Sequence, residues 1–314
     1  MSTAPTPDLS IVVVAFVGEE YLRRLLDALL LQVDDATEVL VACDALIDDI
    51  ARFRERYPDV EFVRFEGRLA PASLRATGVA RAKGRIVALV EDHCVPAPEW
   101  KQQVLAAHEA DVAAVGGAIE KGFPPDRHGD TALNWALYLA DYSRYALPMA
   151  EGRSGAASDC NVSYKRQTLA DIEPVWSREF HENLVHAELE KGGGTLWFSP
   201  RIVVHEQRSM TWSQTLSDRY SFGRLFGSTR VVDASPVRRL TMSAAALLLP
   251  PLLVARVANN VFRRRRYFGP LVRATVPLIV VASAWALGEL VGYVTGSAGA
   301  SLSDGHVSDT RTSN

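Results

Sequence analysis

The chain has 314 residues, with 37 acidic and 34 basic side chains and a formal net charge of −3. This length accommodates one sizeable globular domain and a smaller second part. Residues 1–235 carry a balance of −9 and residues 236–314 a balance of +6. An acidic domain is therefore followed by a basic, apolar region. The acidic part is a poor candidate for binding nucleic acid, because phosphate contacts need clustered cations.

The cysteines and the first residues indicate a reducing compartment. Cys43, Cys94 and Cys160 are odd in number, far apart and not at zinc spacing, which is typical of reduced thiols in a cytosolic protein. Residues 1–9 contain Pro and Asp and no apolar core. We therefore expect no secretory signal and a main domain in the cytoplasm.

The first ninety residues alternate between predicted strands and predicted helices. Short apolar runs predict strands, and apolar residues at helical spacing predict helices. The predicted strands are residues 11–15, 39–42, 60–65 and 86–90, and the predicted helices are residues 21–32, 47–57 and 74–82. This alternation predicts an α/β fold: a mostly parallel sheet with helices on both faces.

The pattern after residue 100 is less regular, and no internal repeat is present. Helices are expected at residues 133–142 and 184–191, and Pro200 separates two extended segments. The predicted strands are residues 112–115, 162–164, 196–198 and 202–204.

The triplet Glu91-Asp92-His93 directly follows the fourth predicted strand, and prolines follow it. In open α/β folds the carboxyl ends of the strands form the edge where ligands bind. Two carboxylates and an imidazole at this edge can hold a divalent cation, and the cation can neutralise a diphosphate. The alternative is a solvated polar loop.

Several motifs in one order resemble the family 2 inverting glycosyltransferases of the glycosyltransferase-A fold. Each motif alone is weak, and their shared order over residues 9 to about 230 carries the resemblance. The matching elements are Ser10–Val14 with Gly18–Leu22, Asp44, Arg75 with Gly78, Ala82–Ala88 before Glu91–His93, Asn161 with Arg166, Glu182 before Gly192, and His205.

Two positions depart from the family pattern. His93 replaces the last acid of the metal motif, which is a mild change because imidazole binds Mn²⁺ well and suits Mg²⁺ less. Asn183 replaces the Asp that usually serves as catalytic base. The resemblance then implies that Glu182 takes this role, or that the enzyme is impaired. The alternative for Glu182 is an acid that favours the first turn of a helix. Asp141, Asp159 and Glu188 are weaker candidates for the base, and His181 and His186 are expected to be surface residues of a helix.

The resemblance implies a nucleotide-sugar donor, UDP- or GDP-linked, and a Mn²⁺ or Mg²⁺ cofactor with Mn²⁺ favoured. Each role has a structural alternative: a helix cap for Asp44, a solvated helix face for Arg75 and a buried ring for His205. The expected donor-binding residues are Asp44, Arg75, Glu91 and Asp92, and the expected metal ligands are Asp92, His93 and His205.

The expected acceptor or lipid-phosphate contacts are Asn161, Arg219 and Arg224. Arginine binds phosphate bidentately, and the two arginines lie in a cationic, aromatic segment just before the apolar region. Arginine-rich segments beside a membrane also bind lipid without any catalytic part.

Two apolar segments predict a membrane-associated region. Residues 242–254 are too short to cross a bilayer, whereas residues 276–294 are long enough. Four arginines at 263–266 lie between the segments, and the positive-inside tendency favours a shallow or re-entrant first segment. Glu289 in the second segment needs a partner, and Arg256 or Arg273 could serve.

The sequence thus predicts a catalytic domain at 1–235, membrane-associated helices at 236–296 and a flexible tail at 297–314. The expected function is inverting transfer of a sugar from a nucleotide donor to a lipid-linked or membrane-proximal acceptor. We expect it at the cytoplasmic face of the cell membrane, with homo-oligomers an open possibility. The alternatives are a polyprenyl-phosphate sugar synthase and a non-catalytic scaffold that retains the fold.

Overall fold

The computed structural model describes residues 6–123, 130–232 and 234–298. The chain divides into two compact units: residues 1–125 with 145–208, and residues 126–144 with 209–314. Residues 209–232 thus belong to the unit that holds the C-terminal helices. The domain boundary at residue 235 stays a prediction, and the expected tail lies almost entirely outside the described residues.

The first unit contains nine strands and most of the shorter helices of the described chain. In chain order they are β1 Leu9–Ala15, α1 Glu19–Leu29, β2 Thr37–Cys43, α2 Ile50–Arg56, β3 Val60–Arg64, α3 Pro71–Arg81, β4 Ile86–Glu91, β5 Cys94–Pro96, α4 Trp100–Ala107, β6 Ala114–Lys121, β7 Gly152–Arg153, β8 Asn161–Lys165, α6 Arg166–Ala170, α7 Glu173–Trp176, α8 Glu182–Lys191 and β9 Leu196–Glu206.

The strands form one mixed sheet in the order β3-β2-β1-β4-β8-β6-β9-β5, and β7 pairs with β9. The first four strands are parallel, as expected for strands joined through helices. β8 then runs antiparallel to both β4 and β6. β6 and β9 again pair in parallel, so the expected α/β fold with a mostly parallel sheet is confirmed.

Burial explains why the first strands formed where apolar runs predicted them. Every residue of β1 and of β4 is buried, which is typical of strands covered on both faces. In α1 the buried residues are Leu22, Leu25, Leu26 and Leu29, the three- and four-residue spacing of one helix face.

Pro200 does not end a strand, so the prediction of two separate extended segments was wrong. β9 continues from Leu196 to Glu206. The pairing with β6 jumps from Ser199 to Val203 at a register shift, and this irregularity accommodates a residue that cannot donate a backbone hydrogen bond. β5, for which the sequence predicted no strand, pairs antiparallel with β9.

The second unit is helical. Its helices are α5 Ala132–Tyr142, α9 Trp212–Thr229, α10 Pro236–Ala246, α11 Leu249–Arg264 and α12 Phe268–Thr295.

Two helices of this unit approach each other through glycines. A Cβ added at Gly288 of α12 would lie 2.1 Å from the Tyr220 carbonyl oxygen of α9, and one at Gly227 of α9 would lie 2.4 Å from the Glu289 carbonyl oxygen. Gly223 and Gly292 complete a Gly-x-x-x-Gly pair on each helix. Such pairs let helix backbones pack closely.

α12 contains the predicted apolar segment 276–294 and is long and apolar enough to cross a membrane. It has 28 residues and a mean hydropathy of 1.8 over its most apolar window. α10 and α11 are bent by 52° at the break between them, a geometry that fits a broken span as well as a re-entrant loop. The expected shallow or re-entrant first segment stays a prediction. The assignment of α12 rests on length and composition.

Glu289 has partners in its own helix, and neither Arg256 nor Arg273 is among its described contacts. Its two carboxylate oxygens accept hydrogen bonds from Trp285 Nε1 at 2.5 Å and from the Tyr293 hydroxyl at 2.7 Å. Both donors are four residues away along the helix and therefore lie on the same face. Arg273 instead donates to the backbone carbonyl of Asp130 at 2.8 Å.

Candidate active site

Asp44 follows β2 at the carboxyl edge of the sheet and is buried. Its Oδ1 accepts from the Leu46 amide and its Oδ2 from the Leu69 amide, each at 2.9 Å. Arg68 Nε lies 3.4 Å from Oδ2. Asp44 therefore fixes two loops beside the site, and its predicted contact with the donor nucleotide stays a prediction.

A buried ion cluster joins α3, β4 and the turn before β8. Arg75 Nη2 lies 2.5 Å from Glu91 Oε1 and also pairs with Asp159. Arg75 and Glu91 are both buried, and the Asp159 side chain is 18% exposed. Arg75 is therefore buried and paired, and the alternative of a solvated helix face was wrong.

The charges in this cluster change the ionisation of its carboxyl groups. Burial disfavours ionised Glu91, but Arg75, followed by His93, holds the pKa of Glu91 below its usual value. For Asp159 burial dominates, and together with Glu91 and Glu182 it outweighs Arg75 and raises the pKa to about 7. The two acids around one guanidinium thus have separated pKa values, which is typical of functional sites.

Glu182 begins α8, as predicted, and is partly buried. Its charge contributes to the raised pKa of Asp159 and to that of Arg75, which places it in the electrostatic environment of the cluster. Asn183 beside it is exposed.

Asp92 supports the loop that follows β1. Its Oδ2 accepts hydrogen bonds from the backbone amides of Phe16, Val17 and Gly18 at 3.1, 2.8 and 3.1 Å. Asp92 is fully buried, and its Oδ1 accepts no hydrogen bond from any described residue. Oδ1 lies 3.7 Å from His93 Nδ1, so this carboxylate links the loop to the imidazole.

His93 is buried between two acids. Its Nδ1 faces Asp92, and its Nε2 lies 3.7 Å from Glu91 Oε2. Burial lowers the pKa of His93, but Asp92, ahead of Cys160 and Glu91, raises it well above its usual value. The Phe16 ring meets the imidazole edge-on at 5.8 Å between centroids.

Two groups of potential metal ligands occur in the described parts of the chain. One is His93 with Cys94 and Cys160, and the other is Glu91 with Asp159 and Cys160. Neither includes Asp92 or His205, so the predicted set of three ligands is not assembled as one group. A possible metal-binding group is nevertheless present at the tip of β4, and the predicted ligand roles stay predictions.

These groups do not suit manganese or magnesium. Both ions prefer oxygen donors, whereas both groups contain a thiol. Arg75 already engages the carboxylates of Glu91 and Asp159. The expected Mn²⁺ or Mg²⁺ cofactor, with Mn²⁺ favoured, therefore stays a prediction that these two groups do not support.

Asn161 and His205 have structural positions. Asn161 is buried, accepts from Trp100 Nε1 at 2.8 Å and donates to the carbonyls of Ala118 and Ile202 at 2.9 and 3.0 Å. These bonds use both amide hydrogens and the amide oxygen to join three elements, which leaves no donor for an acceptor phosphate. His205 is partly buried on β9, between Val95 of β5 and Glu120 of β6.

Arg219 and Arg224 both lie on α9 in the second unit. Arg219 forms a bidentate pair with Asp141, at 2.9 and 2.5 Å, and Arg224 Nε donates to the Ser297 carbonyl at 2.9 Å. With Arg230 and Arg256, Arg219 lines an apolar cavity of about 570 Å³ within this unit. Their predicted contact with lipid phosphate stays a prediction.

Sequence reasoning gave three residues of the cluster too little weight. Asp159 was considered only as a weak alternative base, and the thiols of Cys94 and Cys160 were taken as isolated. Their positions in the sequence could have pointed to them. Cys94 directly follows the Glu91–His93 triplet, and Asp159 and Cys160 directly precede Asn161.

The mixed sheet with an acidic carboxyl edge defines an α/β protein of the glycosyltransferase-A type. Residues 10–172, just over half of the chain, match the family described as glycosyl transferase family 2. The chain belongs to this family, as its motifs indicated.

A solved structure supports the fold. The mannosyltransferase PcManGT from Pyrobaculum calidifontis, determined in complex with GDP-Man and Mn²⁺, aligns with a TM-score of 0.55 at 16% identity. The alignment covers 90% of this chain and 87% of that one. At this identity the likeness shows the shared fold alone. No curated protein matches the chain.

Proposed function

We propose that the protein transfers a glycosyl group from a nucleoside diphosphate sugar, with inversion, to a lipid-linked or membrane-proximal acceptor. The observation that carries this proposal is the cluster of Arg75, Glu91, Asp159 and Glu182 at the carboxyl edge of the sheet in a family 2 chain. The neighbour with GDP-Man supports a nucleotide-sugar donor.

In this proposal the donor binds across the carboxyl edge of the sheet. Asp44 and Glu91 orient the nucleoside, because Asp44 follows β2 and Glu91 ends β4 at that edge. Arg75 supplies the positive charge that a departing diphosphate needs, and its rigid pairing with Glu91 pre-organises it. Such charge stabilisation acts most where negative charge develops in the transition state.

Glu182 accepts the proton of the acceptor hydroxyl while that oxygen attacks the anomeric carbon. A general base contributes about 10²–10⁴ in rate. Asp159 is the second candidate for this role, because its pKa of about 7 is matched to proton transfer near neutral pH. Inversion follows from a single displacement in which the diphosphate leaves opposite the attacking oxygen.

The membrane part of the proposal depends on the second unit. α12 is long enough to cross a bilayer, and arginines at 263–266 fit the cytoplasmic surface. A hydroxyl or phosphate on a lipid anchored there would reach the enzyme from the membrane plane.

The test is a donor screen by calorimetry with the full chain, covering UDP- and GDP-sugars, followed by assays of nucleoside diphosphate release. The Glu182→Gln variant should bind the donor but should no longer release nucleoside diphosphate. Glu190→Gln, an exposed acid on the same helix, is the matched control and should retain this release. Absence of binding by every donor would favour a non-catalytic scaffold.

A further inference from the structure

The second unit contains an apolar cavity of about 570 Å³ that the proposed transfer leaves without a role. Helices α5, α9, α10, α11 and α12 line it, and every lining residue belongs to this unit. Pockets for small ligands commonly measure about 300–1,000 Å³. We propose that the cavity binds the hydrocarbon chain of an anionic lipid, whose phosphate pairs with Arg256 at the rim.

The cavity follows the long axis of α12. Its lining residues on this helix run from Leu278 to Tyr293, which is about 22 Å of helix at a rise of about 1.5 Å per residue. They include Val281, Ala282 and Trp285, whose spacing of three and four residues places them on one face. The lining is therefore long as well as apolar, which suits an extended chain better than a compact ring.

Helices α10 and α11 add further apolar side chains to the lining. They contribute Met242 and Ala246 from α10, and Leu249, Leu253 and Val257 from α11. Residues four apart lie on one face of a helix, so the α11 residues form a continuous apolar stripe. A hydrocarbon chain placed along this stripe and α12 would leave water, and burial of apolar surface favours its binding.

The two acids in the lining already have partners. Asp141 forms a bidentate pair with Arg219, and Glu289 accepts hydrogen bonds from Trp285 and Tyr293. Three arginines and two acids line the cavity, which leaves a balance of +1. This balance favours an anionic ligand, because complementary charge suppresses the wrong partner.

Arg256 is the cation that remains available to a ligand. It is exposed and forms no hydrogen bond or ion pair with any residue that the structure describes. The remaining arginine, Arg230, lies over the Phe226 ring with its guanidinium carbon 4.4 Å from the centroid. Guanidinium groups bind phosphate through two parallel N–H donors. Arg256 can therefore hold a lipid phosphate at the rim while the chain lies among the apolar side chains.

The test measures lipid binding to the full chain in neutral detergent by native mass spectrometry, with hexadecyl phosphate as the probe. We expect about one hexadecyl phosphate per chain, and hexadecanol and inorganic phosphate should each bind at least about tenfold more weakly. Arg256→Gln should weaken binding of hexadecyl phosphate about tenfold, the lower end for hydrogen bonds to charged groups, because Arg256 is exposed. Arg263→Gln is the matched control, since Arg263 is an exposed arginine on the same helix outside the lining.

A second variant tests the cavity rather than the charge. Ala245→Phe places a large side chain at a lining position of α10 and should abolish binding of hexadecyl phosphate. Ala244→Phe is its control, because Ala244 is exposed on the same helix and outside the lining. Hexadecyl phosphate with a photoreactive group in its chain should label α10, α11 and α12 of the wild type.

If Ala245→Phe does not fold, the labelled peptides of the wild type decide, and labels confined to other segments would overturn the proposal. Equal binding of hexadecanol, or displacement of hexadecyl phosphate by inorganic phosphate, would overturn it as well. So would a folded Ala245→Phe variant that binds the probe like the wild type. No nucleotide sugar is present in these assays, so their outcome is independent of the proposed transfer reaction.

Discussion

Arg75 of α3 and Glu91 of β4 form a buried ion pair, with 2.5 Å between Arg75 Nη2 and Glu91 Oε1. The pair fixes the guanidinium at the carboxyl edge of the sheet, where Asp159 shares it. Removing one partner of a buried pair strands the charge of the other.

Arg75→Ala is therefore expected to lower the free energy of unfolding by about 3–5 kcal/mol. Arg81→Ala on the same helix removes an ion pair with Glu61 that is about half exposed, and it should cost at most about 1 kcal/mol. Urea denaturation measures both. Equal costs for the two variants would show that the cluster contributes no more than a surface pair.

The raised pKa of Asp159 predicts a specific pH dependence of stability. Burial is the main cause, and Glu91 and Glu182 add to it against Arg75. Between its unfolded value of 3.8 and its folded value of about 7, the folded protein retains a proton that the unfolded chain has released. This group therefore makes the protein less stable as pH rises, by up to about 1.4 kcal/mol per pH unit.

Asp159→Asn should remove that contribution. Denaturation is measured at several pH values with a chelator present. From pH 4 to pH 7 the free energy of unfolding of the variant should rise relative to that of the wild type. His108 and His186, whose pKa values are lowered to about 4, titrate in both proteins and so cancel in the difference. Parallel stability curves would contradict the raised pKa.

The glycine contact between α9 and α12 should tolerate no side chain. A Cβ at Gly288 would meet the Tyr220 carbonyl oxygen at 2.1 Å, and backbone atoms have little room to move away. Gly288→Ala should destabilise the protein by about 1–3 kcal/mol in detergent. Gly269→Ala on the same helix has nothing within 4 Å of the added Cβ, and it should be neutral or slightly stabilising. A stable Gly288→Ala variant would argue against this packing.

Asn161→Ala should reveal a structural amide. The Trp100 indole N–H and two backbone carbonyls would lose their partner, at a cost of about 1–3 kcal/mol for each buried group left unsatisfied. Asn183→Ala, an exposed position, should stay within about 0.5 kcal/mol of the wild type. Chemical denaturation compares the two, and similar costs would count against the structural role.

The first four strands could be predicted because each is a largely buried apolar run next to a helix with clear apolar spacing. β5 could not, because three residues containing Pro96 carry no strand signal until β9 offers a partner. The position of Glu91-Asp92-His93 followed from the strand before it. Its pairing with Arg75 depended on tertiary packing, which no local pattern encodes.

The contacts between side chains that are distant in sequence were harder to predict than the positions of the strands. Cys94 and Cys160 are 66 positions apart, and only the β4–β8 register brings Cys160 opposite Glu91. His186 was predicted as a surface residue, yet it is buried and lies 2.8 Å from the Tyr164 hydroxyl. Asn161 resembled an acceptor-binding residue, but its three hydrogen bonds are all to other elements of its own unit.

Release of nucleoside diphosphate by Glu182→Gln tests the central claim most directly. With a donor that binds the wild type, turnover should fall about 10²–10⁴-fold in this variant while donor affinity is retained. Glu190→Gln should turn over like the wild type. Unchanged release in Glu182→Gln, with Asp159→Asn also active, would contradict base catalysis by this cluster.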